Sequence, residues 1–214
     1  MQKVYNRYQW IATFCMTLFI LSGAFLMLVS NKKICREYVA KQQTTELGIS
    51  GFEAGLVYDQ LQESFRKFSG DTYEISGYTL TDEETKVLDR FKKLYKRSVV
   101  ICVISFLAAL VLQLRITRRR QFAPLVLGPA FAALFTACMS LYLLVAKTEF
   151  PRAFRNMLFK SDFSYLGGGV VSGILPPEYA GKMLLYFITD VVILSGVILL
   201  GRFLVYHWSR PHKF

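Results

Sequence analysis

The chain has 214 residues, of which 53% are hydrophobic and 15% aromatic, and its formal net charge is +11. The basic residues lie beside apolar runs, where they meet anionic lipid head groups, and this placement argues against nucleic-acid binding, which needs a basic face on a soluble domain. The two histidines and four cysteines lack the spacing of a metal site, so neither a metal nor a cofactor is expected.

Four apolar runs, residues 10–29, 98–114, 121–146 and 183–201, are uncharged except for Asp190 in the last. They are long enough or nearly long enough to cross a bilayer, which takes about 20 helical residues. The predicted transmembrane helices are residues 10–30, 98–114, 121–146 and 183–206. The segments outside them are 1–9, 31–97, 115–120, 147–182 and 207–214. The sequence therefore predicts an all-α membrane protein with four spans.

Basic residues near the span ends predict the orientation, because Lys and Arg close to a span stay on the cytoplasmic side. Lys3 precedes the first span, four arginines fill the loop 115–120, and Arg210 follows the last span. Both termini are therefore predicted to be cytoplasmic. Segments 31–97 and 147–182 then lie on the opposite side, where we expect them to form one small mixed extracytoplasmic cap.

The first cap segment contains two helix-start signals. Ser50 with Glu53, and Thr81 with Glu84, have the spacing of a capping box, in which two side chains bond the free backbone N–H groups of a helix start. Apolar residues at helical spacing follow both boxes, and the second series runs into the second span. Residues 72–80 between them predict either a short strand or an extended strap.

The second cap segment alternates aromatic and basic residues directly after the third span. Phe154 and Phe159 flank Arg155, and three consecutive glycines follow at 167–169. Aromatic rings and cations favour the lipid head-group region. The pattern indicates either an anchor lying on the bilayer or one wall of a lipid-facing site.

Two short patches of these cap segments resemble the bacterial family of lipoprotein intramolecular transacylases. In that family an acidic stretch leads to a His-Met pair at the entry to the second span, and here acidic residues 82–84 lead to Val87 and Leu88. A Phe-His element after the third span resembles residues 154–159, and a Leu-Phe-Pro-Glu-Phe element resembles residues 174–179.

The family consists of four-helix membrane enzymes that move an acyl chain from the lipid-modified glycerol of a lipoprotein onto its own N-terminal cysteine amine. The resemblance extends to the layout of essentially the whole chain. It implies a multi-pass protein of the bacterial cytoplasmic membrane. It also implies that a membrane lipid or a diacylated lipoprotein is the ligand.

The chain departs from the family at both histidines, because Val87 and Arg155 stand at those positions. Acyl transfer to an amine needs a base that accepts a proton near neutral pH, which an ordinary imidazole does. Valine has no proton to exchange, and guanidinium stays charged. Whether the chain is an enzyme is therefore open, and if it is one, it is an acyltransferase with a different base.

Three hypotheses remain. In the first, the protein binds lipid or lipoprotein at the outer leaflet without catalysis, through side chains with aromatic or cationic character: Arg155, Tyr95, Phe154 and Phe159. In the second, it is an active acyltransferase that uses a carboxylate as its base, with four candidates: Glu84, Asp89, Asp162 and Asp190. In the third, it is a non-enzymatic membrane protein whose cap binds a protein partner.

Asp190 is the one acidic residue within a predicted span. An acid in a span costs about 2.5–3.5 kcal/mol on insertion scales and is a functional candidate by default. It lies two helical turns beyond Lys182, near the predicted outer interface. It either handles a proton or anchors Arg155 or a Tyr hydroxyl, or it makes a structural hydrogen bond between helices, with a partner such as Thr136 or Tyr142.

Overall fold

The structure is a computed structural model that describes residues 2–31, 51–67, 73, 75, 77, 79–117, 123–145 and 177–208. Most of these residues are helical, and the few others adjoin the helices. The helices are α1 (Gln2–Ser30), α2 (Gly51–Arg66), α3 (Asp82–Thr117), α4 (Pro124–Val145) and α5 (Pro177–Trp208). Within the described ranges, the β-structure is confined to an isolated bridge at Ile75.

Four of these helices, α1, α3, α4 and α5, are long and apolar enough to cross a membrane. Their candidate spans are Arg7–Ser30, Glu84–Ile116, Pro124–Tyr142 and Met183–His207. The prediction of an all-α membrane protein with four spans is confirmed. The sidedness of the termini and the mixed cap remain predictions.

The chain divides into two compact units. The span unit comprises Met1–Leu26, Ser98–Leu141 and Tyr186–Phe214. The cap unit comprises Met27–Arg97 and Tyr142–Leu185. The division places both predicted cap segments in one unit, together with the last residues of α1 and α4 and the first part of α5.

The span unit packs around small and branched side chains. Its buried cluster consists of Met16, Ile20, Ala24, Ala109, Ala132 and Val191. Outside this cluster, Phe19 on α1 meets Phe106 on α3 with their ring centroids 5.1 Å apart. Lipid is as apolar as leucine, so helices in a membrane associate through close packing, which small residues allow.

Helices α1 and α4 are in tight contact at Gly128. A β-carbon at this position would lie 2.6 Å from Cγ of Met16 and 2.7 Å from its Cβ. The Thr17 hydroxyl lies 3.3 Å from the Gly128 carbonyl oxygen and 3.0 Å from that of Thr13, so it bonds across the contact as well as within α1. Only glycine leaves room for this contact.

The cap unit has its own apolar core. Its buried side chains are Leu28, Val29, Val57, Tyr58, Leu61, Ile75, Leu88 and Leu184. The predicted helix after Ser50 is observed as α2. The buried side of this helix is centred on Val57 and Leu61, whereas Phe52 is 67% exposed and Leu56 42% exposed.

Side chains of α2 cap the end of α1. The Gln62 amide nitrogen donates to the Val29 carbonyl oxygen at 2.7 Å, and the Arg66 guanidinium donates to that of Ser30 at 2.6 Å. The last carbonyls of a helix have no partner within it, and a cation is favourable beside them. These two bonds fix α2 within the cap unit.

Candidate functional site

A capping box starts α3, as the sequence predicts. Oε2 of Glu84 accepts hydrogen bonds from the Thr81 backbone N–H at 3.0 Å and from the Thr81 hydroxyl at 3.1 Å. In return, the Glu84 N–H donates to Oγ1 of Thr81 at 3.3 Å. The Glu84 side chain is 1% exposed. This candidate base therefore holds the start of a helix, and its proposed catalytic role remains a hypothesis.

A polar cluster on α3 contains the second carboxylate candidate. The Tyr73 hydroxyl donates to Oδ1 of Asp89 at 2.8 Å. The Lys92 ammonium lies over the same tyrosine ring, 5.6 Å from its centroid, and the Lys92 side chain is 5% exposed. A cation over an aromatic face is attracted by the ring electrons, and more strongly when water is excluded. We call these three residues the tyrosine cluster.

Tyr73 and Lys92 were not among the site residues predicted from the sequence. One available signal was the spacing of Asp89 and Lys92, because residues three apart share a helix face. Tyr73 precedes Asp89 by 16 residues and belongs to an irregular segment, so no periodicity connects it to α3. Only the structure shows the hydrogen bond between Tyr73 and Asp89.

The predicted strand or strap is a strap in its described residues, which are 73, 75, 77 and 79–81. It is bonded to α3 at one end by Tyr73 and at the other by Thr81, and Ile75 between them is buried. Gly77 makes the turn with φ at 88°, which a residue with a β-carbon adopts only with strain. The strap is therefore fixed to the helix.

Replacing Tyr73 with phenylalanine tests this attachment. The substitution keeps the ring under Lys92 and removes the hydroxyl that donates to Asp89, and a hydrogen bond to a charged group contributes about 1.5–3 kcal/mol. We expect the free energy of unfolding of the Tyr73→Phe variant to be lower by that amount. Thermal unfolding in detergent would show this as a lower midpoint temperature.

Tyr95→Phe is the matched control. Tyr95 lies on the same helix and is half-buried, and its hydroxyl has no hydrogen-bond partner in the described parts of the chain. We expect this variant to unfold like the wild type. Equal losses in both variants would show that the Tyr73 hydroxyl contributes nothing specific.

Asp190 lies on α5 within the span unit, and its side chain is half-buried. Its predicted bond to Thr136 is not formed. The Thr136 hydroxyl instead lies 3.1 Å from the carbonyl oxygen of Ala132 and 2.9 Å from that of Ala133, both in its own helix. A hydroxyl in an apolar helix satisfies itself locally in this way.

The remaining site predictions lie outside the described residues. They concern Arg155, Phe154, Phe159 and Asp162, whose roles stay predictions. Of the two histidines, His207 is described: it is exposed on the last turn of α5 and stacks on Phe203, with ring centroids 6.1 Å apart. The described residues contain no group of three or more His, Cys, Asp or Glu that could hold a metal ion.

No protein-family model and no curated protein sequence matches the chain. Solved structures, in contrast, match it over nearly its whole length. The membrane-integral lipoprotein intramolecular transacylase Lit from Bacillus cereus superimposes with a TM-score of 0.82 at 15% identity, over 97% of this chain and 98% of that one.

Two variants of that protein are similarly close. The one with a histidine replaced by arginine has a TM-score of 0.81 at 13% identity, over 96% of this chain and 94% of its own. The one with a histidine replaced by alanine has a TM-score of 0.82 at 13% identity, over 96% of each chain. Lit therefore keeps this architecture without that histidine.

Sequence and structure thus agree on the architecture. The four apolar helices and the membrane-integral neighbours support a multi-pass protein of the cytoplasmic membrane. The alignments reach almost from end to end of both chains, so the likeness is not confined to the spans. This chain has the fold of the lipoprotein intramolecular transacylase Lit.

Proposed function

We propose that this protein binds a diacylated lipoprotein or a membrane lipid at the outer leaflet and has lost the acyl-transfer reaction. One observation carries the proposal. The chain has the Lit fold over 97% of its length, yet Val87 stands where the resembling family has a histidine. The scaffold is retained, and the group suited to move a proton is replaced by an aliphatic side chain.

The chemistry of transfer explains why this replacement matters. An amine that attacks an ester carbonyl must lose a proton, and a base with a pKa near neutral accepts it best. The sequence contains two histidines, His207 and His212, which lie at and beyond the end of the fourth span. That position is on the predicted cytoplasmic side, away from the leaflet where an exported lipoprotein presents its amine.

Two candidate carboxylates of the cap unit support the same proposal. Glu84 already accepts two hydrogen bonds from Thr81 at the start of α3. Asp89 already accepts one from Tyr73. Both side chains therefore have a structural role. An active enzyme with a carboxylate base is the alternative.

For binding, we assign the head group to Arg155 and the acyl chains to aromatic side chains beside it. A guanidinium binds phosphate or carbonyl oxygens with two parallel hydrogen bonds and stays charged at any pH a cell reaches. Phe154, Phe159 and Tyr95 supply the rings expected at head-group depth. Arg155→Ala should therefore release lipid that co-purifies with the wild-type protein.

The deciding experiment uses a diacylated lipoprotein and the purified protein in lipid nanodiscs. Intramolecular transfer leaves the total mass unchanged, so fragmentation in the mass spectrometer must locate the acyl chain. We expect the lipoprotein to bind while its cysteine amine stays free. The active Bacillus cereus protein, treated identically, is the positive control.

An acylated cysteine amine would overturn the loss of catalysis. Substitution of Glu84, Asp89, Asp162 and Asp190 would then identify the base. Absence of both binding and transfer would overturn the proposal altogether and favour a protein partner for the cap.

A further inference from the structure

We propose that Asp190 is the binding site for a primary ammonium group on a membrane amphiphile. This inference rests on the proposed function and adds to it the charge that the ligand must carry. It assigns to Asp190 a role in binding and specificity, and no part in moving a proton.

The first support is the position of Asp190 around α5. Val191 is fully buried, and Phe187 and Leu194 pack against the same core cluster. Val197 and Ile193 are exposed on the neighbouring side of the helix. With 100° between successive residues, Asp190 lies between these two sets, at the edge of the packed face. A group at this edge is reachable from the lipid.

The second support is its depth. Tyrosine is enriched at both membrane interfaces, and Tyr186 and Tyr206 stand 20 residues apart on α5. At 1.5 Å per residue this separation is about 30 Å, the thickness of the hydrocarbon core. Asp190 is one helical turn from Tyr186 and therefore about 6 Å inside the predicted outer boundary. This is just below the lipid glycerol and ester groups, at the top of the acyl-chain region.

The third support is the missing partner. In the parts of the chain that the structure describes, no side chain donates a hydrogen bond to Asp190, and the Thr136 hydroxyl bonds within its own helix. A carboxylate at this depth is costly unless a cation or donor compensates it. A mobile ligand that brings its own ammonium supplies both charge and donors.

Depth also separates the two sources of such an ammonium. In a diacylated lipoprotein, the α-amine of the cysteine is joined to glycerol through one short thioether, so it lies at glycerol level. In an ethanolamine phospholipid, the phosphate and two carbons hold the amine further out. The position of Asp190 favours the lipoprotein amine, and the test has an arm for each source.

The test compares matched ligands that differ only at the amine. The probes are a synthetic dipalmitoylglyceryl-cysteine peptide with a free α-amine, the same peptide with the amine acetylated, phosphatidylethanolamine, and its N-acetyl form. Binding to the full-length protein is measured by native mass spectrometry near neutral pH, where most α-amines are protonated. We expect the wild type to prefer the free-amine peptide about tenfold, which is the effect of a 1.4 kcal/mol difference.

Asp190→Asn keeps the size of the side chain and removes its charge. We expect it to lose the preference while it binds the acetylated peptide as before. Removing a charge from a span favours membrane insertion, so we expect the variant to fold, and its unfolding midpoint checks this. Asp82→Asn, which changes an exposed carboxylate at the start of α3, should keep the preference.

Each outcome decides the proposal. A preference lost only in Asp190→Asn supports the site, and the ligand pair that shows it identifies the source of the amine. Equal binding of free and acetylated forms by the wild type, or a preference unchanged in Asp190→Asn, overturns the site and leaves lipid binding intact. If the wild type binds none of the probes, the proposed function and the site both fail.

Discussion

Replacing Gly128 with leucine is expected to prevent α1 and α4 from packing. A β-carbon at residue 128 would overlap the β- and γ-carbons of Met16. These two atoms are close to the α1 backbone and belong to the buried cluster, so rotating the end of the Met16 side chain does not relieve the overlap. Overpacking a core costs about 1–3 kcal/mol, and a leucine beside a helix backbone adds more than one methyl group. We expect little folded protein.

The measurement is the yield of monodisperse protein in detergent, followed by its thermal unfolding. Gly196→Leu is the control, because Gly196 is also in a span helix but has nothing within 4 Å of a β-carbon. It should behave like the wild type. A Gly128→Leu variant with normal yield and unfolding would mean that the two helices separate at no cost.

The four spans were predictable because length and hydrophobicity alone define them. A membrane offers backbone groups no hydrogen-bond partners, so an apolar run of this length has few alternatives to a helix. The start of α3 was equally predictable, because a capping box involves residues only three apart. The contact between Thr81 and Glu84 is local and does not depend on how the rest of the chain folds.

The packed face of α2 was not predictable from its apolar residues alone. Phe52 and Leu56 fit the helical period as well as Val57 and Leu61 do, but the period does not say which side meets the core. Gln62 and Arg66 decide it, because they bond the end of α1. Those partners are more than 30 residues away in sequence.

The candidate site shows the same limit. Asp89 was a candidate because carboxylates can act as bases, but sequence gave no sign that Tyr73 would bond it or that Lys92 would cover the ring. Gly128 was one of 14 glycines with nothing to distinguish it before its neighbours were seen. What distinguishes such residues from others of the same type is their contacts with segments distant in sequence, and these contacts cannot be read from composition.

The fold itself says little about the reaction. Lit variants that lack a histidine have the same architecture as this chain, so the architecture is compatible with either presence or absence of the base. Function on a shared fold depends on the residues of the site. For this chain the informative residue is Val87, which only the sequence identifies.

Replacing Glu84 with alanine is expected to destabilise the cap unit by about 1–3 kcal/mol, because the change leaves the Thr81 N–H and hydroxyl without their acceptor and removes the side-chain half of the capping box. The buried position adds a cavity to this loss. Thermal unfolding in detergent measures the effect. Asp82→Ala, an exposed change two residues earlier, should cost much less.

Glu84→Gln separates the capping role from a catalytic one. The amide oxygen can still accept from Thr81, so a purely structural Glu84 predicts that the variant recovers most of the stability and binds lipoprotein like the wild type. A carboxylate base predicts a different result: a folded variant that has lost an acyl transfer which the wild type performs. Measuring stability and transfer on the same preparation tests the two roles against each other, because an amide replaces a cap far better than it replaces a base.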